Sequence, residues 1–320
     1  MTDQPQKFIC EICDGMHPTS EHAPFAPKQV AEFFNADIGR TKKRETDIRE
    51  VKERLNEYLE PFELSADAFE ILVTSSEGLP APNAVGEFKP FYNVALVEES
   101  VFEQAKPIRD AVILHEYSHG LVDPVGRPFM EKHPDITQKV RMFLEEWKKG
   151  RIPWSIPNSD SDAVKEMWRE YAGDAGIFSW EQTCLQSSQQ TLENFFSALR
   201  TDPSYMADLW LGTADTSAKQ KSDLHLTAYG CALGEKLIHD WKFASARAGA
   251  WDIDYEEGVC NYLAAEITGV SMDEMQQVQK QDAPKINAAT FLQRKFRQGA
   301  RGVIEKIKAG ASVMDLFRED

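Results

Sequence analysis

The chain has 320 residues, 42% of them hydrophobic and 28% charged, with a formal net charge of −16. This is an ordinary globular balance, with enough length for one large domain or two modest ones. The negative surplus repels nucleic acid and anionic membrane surfaces, so neither is an expected partner, and no 18-residue apolar run offers a membrane span.

The opening Met1-Thr-Asp-Gln-Pro-Gln-Lys7 lacks an apolar signal core. The five cysteines are an odd number and fit a reducing compartment with free or metal-bound thiols. The expected location is therefore the cytoplasm, or another compartment reached by export without a cleaved signal. Residues 1–25 form a possible zinc-knuckle segment in which Cys10, Cys13, His17 and His22 follow a C-x2-C-x3-H-x4-H spacing. Two thiolates and two imidazoles can close a second, structural zinc site with no open position. Two ordinary thiols in a terminal segment give the same pattern.

Residues 23–28 read as a linker. From 43 to 60, Ile48, Val51, Leu55 and Leu59 recur at helical spacing among charged residues, which predicts a surface helix with one packed face. Ser65 suits a cap, residues 68–74 read as a strand, and the Gly- and Pro-rich residues 76–90 as a loop. Residues 91–97 are a second strand candidate, expected at the edge of a small sheet.

Next comes Ala111-Val-Ile-Leu-His-Glu-Tyr-Ser-His-Gly-Leu-Val122, which contains an H-E-x-x-H pattern. On a helix, His115 and His119 lie one turn apart on one face and can share a metal ion. Glu116 is rotated by about 100° from His115. It stands beside the metal, where it can take a proton from an attacking water and give it to a leaving amine. The apolar neighbours describe a buried helix, in which two unpartnered histidines would be costly. Pro107 suits the first turn, and Pro124 and Gly126 end the helix near residue 122. Residues 120–126 supply no third histidine, which excludes the metzincin extension.

A second acidic pair follows at Glu170 and Asp174, again i and i+4, within Glu170-Tyr-Ala-Gly-Asp174. Together with His115-Glu-Tyr-Ser-His119 this stretch resembles the gluzincins, the thermolysin-like zinc peptidases. The resemblance covers two stretches of about a dozen residues each. It implies that Glu170 is the third zinc ligand and that Asp174 orients one of the histidines. Two departures stand out. Glu170 lies 51 residues after His119, which requires an insertion, placed at residues 127–160, and Arg169 replaces the Asn that often precedes the ligand.

The resemblance also implies an α+β, zincin-like fold. That fold is mostly helical, with a small sheet before the motif helix and a helical C-terminal lobe. It assigns residues 26–185 to the catalytic region and 186–283 to the helical lobe, leaving 284–320 as a basic helical tail. Helical stripes run through residues 192–199, 224–238 and 259–267. The lobe is expected to supply an oxyanion donor, with His225 and Tyr229 as first candidates and Tyr205 and His239 as alternatives. Helix packing is the competing role for each. Basic residues from Lys285 to Lys308 read as a solvated face, or as a surface that docks on an acidic partner or on the protein's own body.

The expected activity is zinc-dependent peptide-bond hydrolysis on a peptide or protein substrate, with one catalytic zinc and Glu116 as base and then acid. The alternatives are a zincin-fold binding protein without turnover and a zinc hydrolase of a non-peptide amide. Oligomeric state and cleavage specificity are not encoded in these motifs.

Overall fold

The computed structural model describes residues 36–79, 84–124, 126–149, 251–279 and 283–318, together with the helical positions Cys231, Glu235, Lys242 and Ala246. The described residues are mostly helical around a three-stranded sheet, an α+β arrangement. Among them no helix is long and apolar enough to cross a membrane.

The chain enters through α1 (Ile38–Lys43), capped by Asp37, whose side chain accepts from the Arg40 amide. It continues into α2 (Glu45–Leu59). Val51, Leu55 and Leu59 are buried there, as the amphipathic spacing predicts. Ser65 caps a short 3-10 turn before β1 (Glu70–Thr74). The chain then forms β2 (Gly86–Lys89) and β3 (Val94–Glu98). The sheet order is β1-β3-β2, with β1 parallel and β2 antiparallel to β3.

Two sequence expectations change here. The stretch 91–97 was expected at the sheet edge, but β3 is the central strand, and residues 90–93 form the turn that leads into it. Asn93 takes the left-handed conformation in that turn, with φ 53°. Residues 86–89 were expected to be loop, yet they form the edge strand β2. Gly86-Glu-Phe-Lys89 has one apolar residue and carries no alternation, so only its pairing with β3 makes it a strand.

The motif helix α3 (Lys106–Val122) has Pro107 in its first turn and stops at Asp123. It is buried on nearly every side, from Arg109 through Ser118. The sheet, α2 and the later helix α6 (Ile253–Thr268) cover it. Tyr117 stacks on Phe69 at 4.4 Å, and Phe88 of β2 meets both rings edge-on. Arg54 of α2 grips the buried Asp110 with two charge-assisted hydrogen bonds of 2.6 and 2.7 Å, which fixes the start of α3.

Residues 127–148 form two further helices, α4 (Gly126–Lys132) and α5 (Pro134–Lys148). After α6 come α7 (Met272–Gln279), α8 (Ala283–Lys295), α9 (Ala300–Lys308) and α10 (Val313–Phe317). The basic segment docks on the protein's own body. Val303, Ile304 and Ile307 share a core with Val259 and Leu263 of α6. Arg301 and Lys308 donate to the carbonyls of Pro61 and Phe62 at 2.8 Å each.

The glycine that follows the histidine motif has a packing reason. A Cβ on Gly120 would lie 2.2 Å from Cε1 of Phe88. Gly120→Ala is expected to destabilise the protein by ~1–3 kcal/mol through overpacking between α3 and β2. Urea denaturation checks this, and an unchanged midpoint would show that Phe88 can move aside at no cost.

Candidate metal centre

His115 and His119 share one face of α3, as their spacing requires, with Nε2 atoms 3.3 Å apart. The third member comes from α6. Asp252 caps this helix by accepting from the amides of Asp254 and Tyr255, which fixes the turn that carries Glu256 and Glu257. The Glu257 carboxylate lies 3.4 Å from His115 Nε2 and 3.7 Å from His119 Nε2. Among the described residues, His115, His119 and Glu257 are the one group of three side chains placed to hold a metal ion.

The distances suit a small tetrahedral ion. Bonds of about 2.0–2.2 Å at tetrahedral angles put neighbouring donor atoms roughly 3.3–3.5 Å apart. The two Nε2 atoms are 3.3 Å apart, His115 Nε2 is 3.4 Å from Glu257 Oε2, and His119 Nε2 is 3.7 Å from the other carboxylate oxygen, Oε1. The tautomers agree as well. His119 Nδ1 donates to the ionised Glu256 carboxylate at 2.9 Å, which leaves Nε2 as the nitrogen that would offer its lone pair to a metal in place of a proton. Two imidazole nitrogens facing each other at this distance repel unless a cation or a proton lies between them. His115 Nδ1 is buried without a hydrogen-bond partner among the described residues.

Charge tells the same story. Glu116, Glu256 and Glu257 face this group, and Lys242 is the cation bonded to Glu256. Glu256 and Glu257 are held ionised here and the raised Glu116 carboxyl stands beside them, while Lys242 and, more weakly, Lys285 oppose them; a divalent cation would reduce the negative surplus that remains. Without a metal, protons respond to that surplus. Burial alone would push the His119 imidazolium down, but Cys260, Glu256 and Glu257 outweigh it and raise it well above the ordinary histidine range. Burial likewise opposes ionisation of Glu257, yet its hydrogen bond to His115 and the charges on both histidines hold it at about 2. Lys242 and His119 hold Glu256 well below the usual carboxylate range against the same burial penalty.

Glu116 is 5% exposed and sits beside the group. Burial raises its carboxyl, the two histidines oppose that, and Glu257 and Glu87 add to it. The edge strand leaves room for it, since a Cβ on Gly86 would fall 2.6–2.7 Å from the Glu116 side chain. Glu116 thus stands against β2, at the level of the histidine pair.

The structure brings His115, Glu116 and His119 together as the sequence pattern requires. Glu170 and Asp174 lie outside the described residues, as do the oxyanion candidates His225 and Tyr229 with their alternatives Tyr205 and His239. Cys10, Cys13, His17 and His22 also lie outside them. Sequence reasoning did not find Glu257 or Glu256. The available signal was Asp252-Ile-Asp-Tyr-Glu-Glu257, a capped helix start with two carboxylates leading into an apolar run.

Two outcomes follow. Glu257→Ala should lower zinc affinity at least tenfold, read by competition with a chromophoric chelator, because a donor is lost. Unchanged affinity would remove Glu257 from the ligand set. In the metal-free protein, the raised His119 pKa contributes stability that is complete below 6.5 and lost as pH rises through the higher folded value. Glu257, depressed from 4.5 to about 2, contributes stability that is present above 4.5 and lost as pH falls towards 2. Chelator-treated protein should therefore weaken on both sides of this window in thermal melts, and added zinc should remove the alkaline loss. Comparison with protein-family models, with curated proteins and with solved structures finds no match to this chain.

Proposed function

We propose that the chain is a zinc-dependent metallopeptidase of gluzincin type, with His115, His119 and Glu257 as the zinc donors and Glu116 as general base and then general acid. The observation that carries this reading is the trio of side chains whose ligand atoms lie within 4.8 Å of one another, with the buried Glu116 at its side. Two imidazoles and one carboxylate are a donor set that zinc hydrolases use, and they leave a fourth position open for chemistry. Zinc held there supplies a Lewis acid that polarises the scissile carbonyl and makes a water acidic.

The remaining work falls to the chain's own side chains. Glu116, whose carboxyl burial raises above its ordinary value, is a better base for it and can accept a proton from the attacking water. The same carboxyl then returns that proton to the leaving nitrogen. On this reading Glu257 fills the place for which the resemblance nominated Glu170. The edge strand β2 carries no further strand on its outer side among the described residues, and its Gly86 touches Glu116. An extended peptide that pairs with β2 through main-chain hydrogen bonds would be laid across the metal donors. His225 and Tyr229 remain the proposed oxyanion donors.

The test is hydrolysis of a mixed peptide library by zinc-loaded protein, with Glu116→Gln as the paired variant. The variant should keep its zinc and lose at least about 10²-fold in turnover, the usual contribution of a positioned acid–base group. Cleavage of small amides or esters without peptide cleavage would move the assignment to a non-peptide hydrolase. Zinc binding with no turnover on either class would make the chain a binding protein on the same scaffold. Gly86→Ala should lower turnover about tenfold or more by displacing Glu116, while zinc content stays at the wild-type level.

A further inference from the structure

We propose that Lys242 and Trp251 are positioning residues for the metal centre, fixing Glu256 so that it holds the His119 Nδ1 hydrogen and aims Nε2 at the ion. The inference rests on the assignment of His115, His119 and Glu257 as metal donors and extends it to residues outside that set.

Glu256 is 2% exposed, and donors surround its carboxylate. Oε1 accepts from His119 Nδ1 at 2.9 Å and from Lys242 Nζ at 2.6 Å, and Oε2 accepts from the Trp251 indole at 2.6 Å. Each oxygen is therefore tied to a different partner, and the carboxyl plane cannot turn without breaking one of these bonds. Lys242 also lies over the Trp251 ring, 5.5 Å from its centroid, so the two donors support each other. A carboxylate free to rotate would let the imidazole swing or exchange tautomers. One clamped on both oxygens fixes the ring plane and places the proton on the nitrogen away from the metal.

The chain order makes the arrangement economical. Glu256 and Glu257 are successive residues, about 100° apart around α6. Glu257 reaches the Nε2 side of His119 at 3.7 Å while Glu256 holds its Nδ1 side. One helix thus grips both nitrogens of the same imidazole, and Lys242 with Trp251 locks the outer grip. A salt bridge serving stability alone would need neither the contact with His119 nor the indole on the second oxygen.

The experiment measures zinc affinity by chelator competition, and the visible spectrum of the cobalt-loaded protein, for wild type, Lys242→Met, Trp251→Phe, Glu256→Gln and the Lys242→Met/Glu256→Gln double variant. Glu256→Gln should weaken zinc binding 10–100-fold, the range typical of groups that orient a metal-bound histidine. Lys242→Met and Trp251→Phe should each weaken it several-fold to tenfold and shift the cobalt absorption bands. The double variant should bind no more weakly than Glu256→Gln alone, because both changes act through one carboxylate. Unchanged affinity and spectrum in Lys242→Met and Trp251→Phe would overturn the inference, as would weakening that adds in the double variant. If Lys242→Met fails to unfold cooperatively, Trp251→Phe decides alone, and wild-type affinity there overturns the inference. Wild type that binds no zinc overturns the underlying donor assignment instead, and does so before any variant is compared.

Discussion

The meeting of two helices at His119 is the interaction on which the rest of the structure depends. Helix α3 brings two imidazoles to one face, and α6 brings two adjacent carboxylates to meet them. Their contacts are short, 2.9 Å to Glu256 and 3.4 Å between His115 and Glu257. His115 and Glu256 are buried and His119 and Glu257 half-buried, and withdrawing charge from water is costly unless each group finds a partner. The surrounding architecture supplies the partners and the rigidity. Arg54 anchors Asp110 at the start of α3, Phe69 and Phe88 clasp Tyr117 within the motif, and the last helices pack on α6 to hold it in place.

This arrangement also explains why so much carboxylate accumulates where so little water reaches. Glu116, Glu256 and Glu257 would repel one another in a low-dielectric interior, and Lys242 compensates for one of them. A divalent cation between the donors would offset the rest and turn an electrostatic cost into binding energy. In the metal-free centre His119 is pushed up and Glu257 pushed down because each group stabilises the other's charge. Glu116 differs from the other two carboxyls. Burial raises it, and it stands beside the donors against the edge strand, which is what a proton-transfer group requires.

What could be read from the sequence follows the range of each interaction. His115, Glu116 and His119 are spaced by helix geometry alone, so five residues reveal their shared face. The buried stripe of α2 and the Ser65 cap are legible for the same local reason. Glu256 meets His119 from 137 positions away, and no local pattern separates a ligand carboxylate from the many acidic residues of this chain. The acidic pair that matched a known spacing, Glu170 and Asp174, drew attention for its i and i+4 pattern. Glu257 makes its approach through tertiary packing of α6 on α3, which no spacing rule records. The strand β2 was hidden in a similar way, since Gly86 and Lys89 carry no strand signal and the pairing with β3 supplies the structure.

Whether a metal joins α3 to α6 is tested most directly by a zinc-soaked crystal measured at the zinc absorption edge. An anomalous peak is expected about 2.0–2.2 Å from Nε2 of His115, Nε2 of His119 and a carboxylate oxygen of Glu257, with His119 Nδ1 still donating to Glu256. A peak ligated by the two histidines with Glu257 turned away, or the absence of any peak between α3 and α6, would contradict this donor assignment.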